Sequence, residues 1–149
     1  MQTEPAANKV TTRKPKLKLD FKDSKYATGR RKKSIAKVWV KKGSGKIYVN
    51  GKIYNEYFSS EFHHLQVMRP FEIINQPTSY DVRCSVKGGG HTGQAGAMVH
   101  GISKALLLFD ADLKTTLKKE NLTTRDSRAV ERKKPGRRKA RRSFQFSKR

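Results

Sequence analysis

Apolar and polar residues alternate along two segments of the chain, and this pattern predicts two β-strands. The segments are SIAKVWVKK, residues 34–42, and YDVRCSVKG, residues 80–88. A period of two residues is typical of a strand that packs one face on a hydrophobic core. The residues that would share the inward face are Ala36, Val38 and Val40 in the first segment and Val82, Cys84 and Val86 in the second.

A short strand and two turns are predicted between these segments. KIYVN, residues 46–50, has Ile47 and Val49 on one face. We interpret GSGK, residues 43–46, as a hairpin turn that joins this strand to the strand before it. The dipeptide Asn50-Gly51 is a second turn signal, because Asn and Gly accept the positive φ angles of tight hairpin turns.

Three further segments carry apolar residues at helical spacing. EYFSSEFHHLQVMRPFEII, residues 56–74, has Ser60 as a possible N-terminal cap and Pro70 as an interruption. GQAGAMVHGISKALLLF, residues 93–109, predicts a helix that packs on the sheet, and ADLKTTLKKENL, residues 111–122, predicts a shorter helix. The apolar stripe of the middle segment comprises Ala95, Met98, Val99, Ile102, Ala105, Leu106 and Phe109.

Basic residues are concentrated at both ends of the chain. The net charge is +23, from 35 Lys and Arg against 12 Asp and Glu. Residues 1–33 carry +8, residues 34–122 carry +5 and residues 123–149 carry +10. We therefore predict a flexible extension over 1–24, a globular domain over 25–122 and a basic tail over 123–149. The extension is rich in Lys and contains acids, which disfavours the alternative of an Arg-rich mitochondrial transit peptide.

A net charge of this size favours a polyanionic partner, either nucleic acid or an anionic membrane surface. No stretch of about 20 apolar residues could span a bilayer, and no apolar segment after Met1 resembles a secretory signal. A basic helix with a large apolar face, which would favour membrane binding, is also absent from the pattern. Cys84 is the only cysteine, as is typical of reducing compartments. We expect a soluble, intracellular protein that binds nucleic acid and no membrane.

GGGHTG, residues 88–93, matches the glycine pattern of dinucleotide-binding loops, with Asp110 at about the expected distance. That fold needs a second βαβ half, yet only a short helix and a basic tail follow, so we reject a nicotinamide or flavin enzyme. Two compatible interpretations stay open. The glycines could form a phosphate-binding loop at a helix N-terminus, suited to an RNA backbone, or a tight strand-to-helix turn.

No other motif predicts catalysis, a cofactor, a metal or a small-molecule substrate. GSGK lacks the earlier Gly and the following Ser or Thr of a nucleotide-binding loop. The His residues at positions 63, 64, 91 and 100 lack the paired spacing of zinc ligands and are interpreted as surface or RNA-facing residues. Cys84 is interpreted as a small buried strand residue. The carboxylates are scattered, so we expect no enzyme activity.

The end of the tail combines positive charge with aromatic residues. Residues 132–149 contain ten Lys or Arg and no acid, and Pro135-Gly136 precludes a continuous helix. Such a segment is expected to be disordered when alone, and many charged runs are simply solvated. Arg, however, pairs with phosphate and stacks on bases, and Phe144 and Phe146 add further stacking surfaces. This combination favours RNA as the partner.

Several segments of the chain resemble one known family. They are YATGRRKKSIAKVWV, GKIYVNG, VKGGGHTGQAGAMVHGISKALL and TRDSRAVERKKPGRRKARRSFQFSKR, in this order. From Lys25 to Arg149 the chain is thereby similar to the bacterial form of the ninth protein of the small ribosomal subunit. The resemblance implies a two-layer α+β domain, with a mixed β-sheet backed by helices, a left-handed βαβ crossover and an extended basic C-terminal tail.

The resemblance also implies the partners, which are small-subunit ribosomal RNA, neighbouring proteins of the subunit head and the peptidyl-site tRNA. The residues expected at the tRNA anticodon stem-loop are Ser147, Lys148 and Arg149. The residues expected at ribosomal RNA are Arg30, Arg31, Lys32, Lys33, Gly88, Gly89, Gly90, Arg125, Arg128, Arg132, Lys133, Lys134, Arg137, Arg138, Lys139, Arg141, Arg142, Phe144 and Phe146.

Three positions depart from the family pattern. Val99 stands where Arg is usual, Asn121 where Gly is common and Thr123 where Leu is common. The first bears on a local RNA contact, and the other two bear on the junction between helix and tail. We expect a structural constituent of the small ribosomal subunit, in the cytoplasm or alternatively in an organelle. The alternative class is a free-standing protein that compacts nucleic acid, which would need neither a folded middle nor a specific tail end.

Overall fold

The computed structural model describes residues 21–76 and 78–148 of the chain. Most of the predicted N-terminal extension, and Arg149 of the predicted tRNA contact, lie outside the described residues. The strands are β1 (Lys25–Arg31), β2 (Ser34–Lys42), β3 (Ile47–Val49), β4 (Lys52–Ile53) and β5 (Tyr80–Lys87). The helices are α1 (Tyr54–Tyr57), α2 (Glu61–Ile73), α3 (His91–Leu106) and α4 (Leu113–Lys119).

The strands form one mixed sheet in the order β1-β2-β5-β3-β4. The predicted inward faces are confirmed, since the alternate residues of β2, β3 and β5 that were expected inside are buried. Helix α3 packs across β1 and β2, and α2 packs against α3. The prediction of an α+β domain with a sheet backed by helices is therefore confirmed.

The predicted hairpin at GSGK is wrong, because β5 lies between β2 and β3. Along its whole length β5 pairs antiparallel with β2, and its residues 82–84 pair parallel with β3. The loop instead closes on β5, where the Asp81 carboxylate accepts hydrogen bonds from the backbone N–H groups of Ser44, at 2.9 Å, and Lys46, at 3.0 Å. Local turn chemistry favoured a hairpin, but the long apolar face of β5 takes the place beside β2.

The turn predicted at Asn50-Gly51 is confirmed. Asn50 has a φ angle of 50° and Gly51 one of 85°, and the flanking residues Val49 and Lys52 pair across the hairpin of β3 and β4. Helices α1 and α2 then connect this hairpin to β5. The parallel pair β3 and β5 is thus the place of the βαβ crossover, whose left-handed sense stays an expectation from the resemblance.

The helix predictions are confirmed for α3 and α4, and Pro70 corrects the prediction for α2. Ser60 does occupy the N-cap position, without a side-chain hydrogen bond, but Pro70 lies inside the helix rather than interrupting it. A proline inside a helix removes one backbone hydrogen bond. Pro70 is buried beside Val67 and Phe71 on the core side of α2, so burial of this apolar group offsets the loss. No helix in the described ranges is long and apolar enough to cross a membrane.

Strand β1 is an element that hydrophobic spacing did not predict. Its inward residues are only Ala27 and Gly29, which give no apolar period. A Cβ atom on Gly29 would overlap the carbonyl oxygen of Ala97 and the amide nitrogen of Gly101 in α3. The backbones of β1 and α3 therefore approach more closely than side chains would allow, and the small residues are the cause.

Candidate nucleic-acid interface

The turn between β1 and β2 packs against the glycine loop, Gly88–Gly90. Lys32 and Lys33 form a two-residue turn, with Lys32 at a φ angle of 49°. The hydroxyl group of Ser34, the next residue, donates a hydrogen bond to the carbonyl oxygen of Gly88 at 3.0 Å. A Cβ atom on Gly88 would lie only 2.6 Å from the carbonyl oxygen of Lys33. Two segments that the sequence singled out separately are therefore one structural unit.

The three glycines of the loop are needed for different reasons. Gly88 and Gly89 have φ angles of 73° and 62°, a conformation that strongly favours glycine. A Cβ atom on Gly89 would also overlap the side chain of Ser34. Gly90 is exposed, has a φ angle of −112° and has open space where a Cβ atom would stand. The fold therefore requires glycine at the first two positions but not at Gly90.

Helix α3 begins directly after this loop with its N-terminus uncapped by any side chain. Gly90 is the N-cap residue, and no acidic residue lies in the first turn. The first backbone N–H groups of a helix lack intrahelical partners and carry a partial positive charge. The N-terminus of α3 can therefore bind an anion such as a phosphate, and Lys33 adds a full positive charge nearby. We call Lys32, Lys33, Gly88–Gly90 and the N-terminus of α3 the loop cluster.

The C-terminal tail is tied to the domain beside this cluster. The carboxylate of Asp126 forms ion pairs with Arg31 of β1 and with Arg128, whose Nη2 atom lies 2.7 Å away. Arg128 also donates its backbone N–H to Asp126 at 2.9 Å. Hydrogen bonds from Arg128, joined by one from Arg31, hold the pKa of Asp126 well below its usual range. The stem of Arg31 lies against Gly96 of α3, so the tail leaves the domain next to the first turns of that helix.

His100 is half-buried and connects α3 to β1. Its Nδ1 atom accepts a hydrogen bond from the backbone N–H of Arg30 at 3.2 Å. An imidazole nitrogen that accepts a hydrogen bond carries no proton, so this contact requires the neutral ring. Burial, followed by the charge of Lys104, lowers the pKa of His100 and favours the same neutral form.

Of the three departures from the family pattern, Asn121 has a local structural explanation. Asn121 has a φ angle of 56° at the end of α4, a conformation that Asn accepts better than other non-glycine residues. The N–H of Asn121 bonds the carbonyl oxygen of Lys118, and the N–H of Leu122 bonds that of Leu117. This pattern commonly ends helices at a glycine, which Asn121 replaces here. Val99 is buried on α3 and adds no cation to this surface.

Beyond the ion pairs of Asp126, the described residues of the tail form neither helix nor strand. Pro135-Gly136 forms a turn, with Gly136 at a φ angle of 70°. Arg141 pairs with Glu131 through two hydrogen bonds, at 2.6 and 3.0 Å. This pairing lowers the pKa of Glu131. The other side-chain hydrogen bonds recorded for residues 132–148 are likewise made within the tail.

The remaining predicted contact residues that the structure describes are exposed to solvent. Phe144 and Phe146 are 63% and 87% exposed. Ser147 and Lys148 are exposed at the end of the described tail. The other exposed cations are Arg30, Arg125, Arg132, Lys133, Lys134, Arg137, Arg138, Lys139 and Arg142. The described residues contain no group of three or more His, Cys, Asp or Glu that could hold a metal ion.

Asp126 is the organising residue that sequence reasoning missed. Only Asp126 and Glu131 are acidic in residues 123–149. Both form ion pairs with Arg residues that we had assigned to RNA. Isolated acids within an otherwise basic segment were the available signal, because such acids hold neighbouring cations in place.

The sequence matches known proteins over the segments described above. A family model described as "Ribosomal protein S9/S16" matches residues 29–149, which include β2, the loop cluster and the whole tail. This chain belongs to that family. The small ribosomal subunit protein uS9 of Rickettsia canadensis (strain McKiel) is 51% identical over 143 residues, covering 96% of this chain and 89% of the relative. The family member described here is therefore a structural constituent of the small ribosomal subunit and not an enzyme.

Proposed function

We propose that this chain binds small-subunit ribosomal RNA through the loop cluster and the tail, and peptidyl-site tRNA through its last residues. The main support is that the turn at Lys32 and Lys33, the glycine loop and the start of the tail at Asp126 lie close together. Each of these features can bind phosphate, and together they present adjacent groups to one nucleic-acid backbone. The protein would act in cytoplasmic ribosomes, beside neighbouring proteins of the subunit head, with an organellar ribosome as the alternative location.

The mechanism is electrostatic and largely independent of base sequence. Lys and Arg side chains neutralise phosphates and release counterions, which gives strong binding that weakens as salt increases. Backbone N–H groups at the start of α3 would position one phosphate without reading a base. Phe144 and Phe146 would stack on unpaired bases or pack within folded RNA.

At the end of the chain, Lys148 and Arg149 would contact the tRNA backbone. Contacts to phosphate rather than to bases would suit a site that receives many different tRNAs. Since the tie at Asp126 anchors the base of the tail, the residues beyond it can reach a partner distant from the domain. For a flexible chain, 18 residues span on the order of 25 Å, and fully extended about 60 Å.

The direct experiment is sedimentation of the protein with small ribosomal subunits in moderate salt. We expect the protein to travel with the subunit. A protein that only compacts nucleic acid would follow bulk nucleic acid instead, and that result would contradict the proposal.

Deletion of Ser147–Arg149 tests the proposed tRNA contact separately. We expect weaker tRNA binding at the peptidyl site and unchanged incorporation into the subunit, because the loop cluster and the rest of the tail are intact. Gln145→Ala, which changes an exposed neighbouring residue assigned to no contact and keeps Ser147–Arg149, is the control and should bind tRNA normally. Loss of incorporation in the deletion variant would refute this division of roles.

A further inference from the structure

The sheet has a second face, opposite the helices, which the RNA contacts described above do not use. On this open face the outward residues of neighbouring strands lie side by side in one row. The pairing of strands places Tyr26 beside Trp39, Trp39 beside Arg83, Arg83 beside Tyr48 and Tyr48 beside Ile53. With strands about 4.8 Å apart, the row is roughly 19 Å long.

Side-chain contacts join three members of this row, Tyr26, Trp39 and Arg83. The ring centroids of Tyr26 and Trp39 are 5.3 Å apart, and the guanidinium carbon of Arg83 lies 5.6 Å from the centroid of the Trp39 ring. Tyr26 is 44% exposed and Ile53 is 53% exposed, so both ends of the row are accessible. An aromatic row of this kind on the surface of a sheet marks an interaction site rather than a core.

Charge on the open face identifies the chemistry of the partner. The cations on outward positions of β2 and β5 are Lys37, Lys41, Arg83 and Lys87. Asp81 is the only acid among the strand residues. Its carboxylate is already occupied by the N–H groups of Ser44 and Lys46. The face is therefore strongly positive around an aromatic centre, which is complementary to a polyanion that carries planar groups.

We propose that the open face binds a single-stranded segment of RNA, with bases stacked along the row from Tyr26 to Tyr48 and phosphates paired with the surrounding cations. Bases within a duplex are already stacked on one another and cannot reach such a row, whereas unpaired bases can. Aromatic residues on a sheet among Lys and Arg are a known arrangement for stacking two or three bases. The inference rests on the proposed RNA-binding function and adds to it a site on another face of the domain.

Trp39 is the only tryptophan of the chain, so its fluorescence reports this face directly. The full-length protein is titrated in moderate salt with a short single-stranded RNA, with a duplex of related sequence, and with inorganic polyphosphate. Polyphosphate binds the cations but has no bases. We expect saturable quenching by the single strand and much weaker quenching by the other two polyanions. Equal quenching by all three, or no quenching by the single strand, would overturn the proposal.

Substitutions at the exposed end of the row localise the effect. Tyr26→Ala should weaken the quenching constant about 5- to 100-fold, since one stacked base accounts for that range. Tyr26→Phe keeps the ring and should restore binding, which separates stacking from any change in folding. Phe62→Ala removes an aromatic ring that is 65% exposed on α2, away from the sheet, and should leave the quenching constant unchanged. An equal effect of the Tyr26→Ala and Phe62→Ala variants would contradict the assignment.

The assembled subunit distinguishes this site from the contacts proposed above. Ultraviolet crosslinking should attach a nucleotide to the peptide that contains Trp39. A Trp39 that is shielded from acrylamide but carries no nucleotide would assign the face to a neighbouring protein and overturn the proposal. If the protein enters the subunit normally while the single strand fails to quench, this inference fails and the proposed function stands. If the protein also fails to enter the subunit, both fail.

Discussion

Gly90 offers a substitution that should separate folding from RNA binding. Gly90→Ala adds a methyl group at a φ angle of −112°, which alanine adopts without strain, and into space with no atom within 4 Å. Alanine is a poorer N-cap than glycine but restricts the unfolded chain, so the opposing effects leave the stability within about 1 kcal/mol of the original. The variant should therefore fold normally.

Gly89→Ala is the matched comparison inside the same loop. Its φ angle of 62° is unfavourable for alanine, and the new methyl group would overlap the buried side chain of Ser34. The conformational penalty and the overlap together predict a loss of about 2–5 kcal/mol. Urea unfolding followed by circular dichroism measures both variants on the same scale.

Gly90→Ala should weaken RNA binding even though it leaves the stability nearly unchanged. A methyl group at the start of α3 would keep a phosphate from the first N–H groups, and one lost charge-assisted hydrogen bond costs about 1.5–3 kcal/mol. That loss corresponds to a dissociation constant roughly 10- to 100-fold higher for a small-subunit ribosomal RNA fragment. A Gly90→Ala protein that is stable and binds RNA like the original would refute the phosphate-binding role and leave only a tight turn.

Three further predictions test the packing, the pH response and the tail. Gly29→Ala forces β1 away from α3 and should lower the free energy of unfolding by about 1–3 kcal/mol. If the free energy of unfolding fell no more than in Gly90→Ala, the close approach of the two backbones would be contradicted. His100 should titrate below 6.5 by NMR, because the folded protein favours the neutral ring. Its contribution to stability is therefore present above pH 6.5 and declines as the pH falls below that value, and a pKa at or above 6.5 would contradict the bond from Arg30. Replacing three Arg between residues 132 and 142 with Gln should impair incorporation into the subunit and reduce the salt dependence of RNA binding. Replacing the three Lys of α4 with Gln should do neither. Equal effects of the two changes would mean that the tail is only a solvated charged segment.

The sequence predicted which face of each strand is buried better than it predicted which strands lie side by side in the sheet. Val82, Cys84 and Val86 had to point inward because alternation allows one apolar face, and the structure confirms this. Alternation carries no information about which strand lies beside another, so GSGK was interpreted from local turn chemistry alone. The pairing of β5 with both β2 and β3 depends on contacts between residues distant in the chain, which no local pattern contains.

The candidate interface was likewise predicted in pieces. Lys32 and Lys33 were expected from the family resemblance and the glycine loop from its motif, but their contact through Ser34 follows from how the sheet is paired. The division within the loop, with Gly88 and Gly89 required by the fold and Gly90 not, depends on distances that only the structure gives. The row on the open face was hidden for the same reason, since Tyr26, Trp39 and Arg83 come from three different strands.

A crosslinking map of the protein in assembled small subunits tests the central claim most directly. The account predicts RNA crosslinks on peptides that contain Lys32 and Lys33, on the peptide that contains Gly90 and on peptides from residues 132–142. Peptides from α4, whose three Lys are equally exposed, serve as the internal control and should carry few. A subunit that contains the protein but shows crosslinks only at α4, with none at the loop cluster or the tail, would contradict the proposed mode of RNA binding.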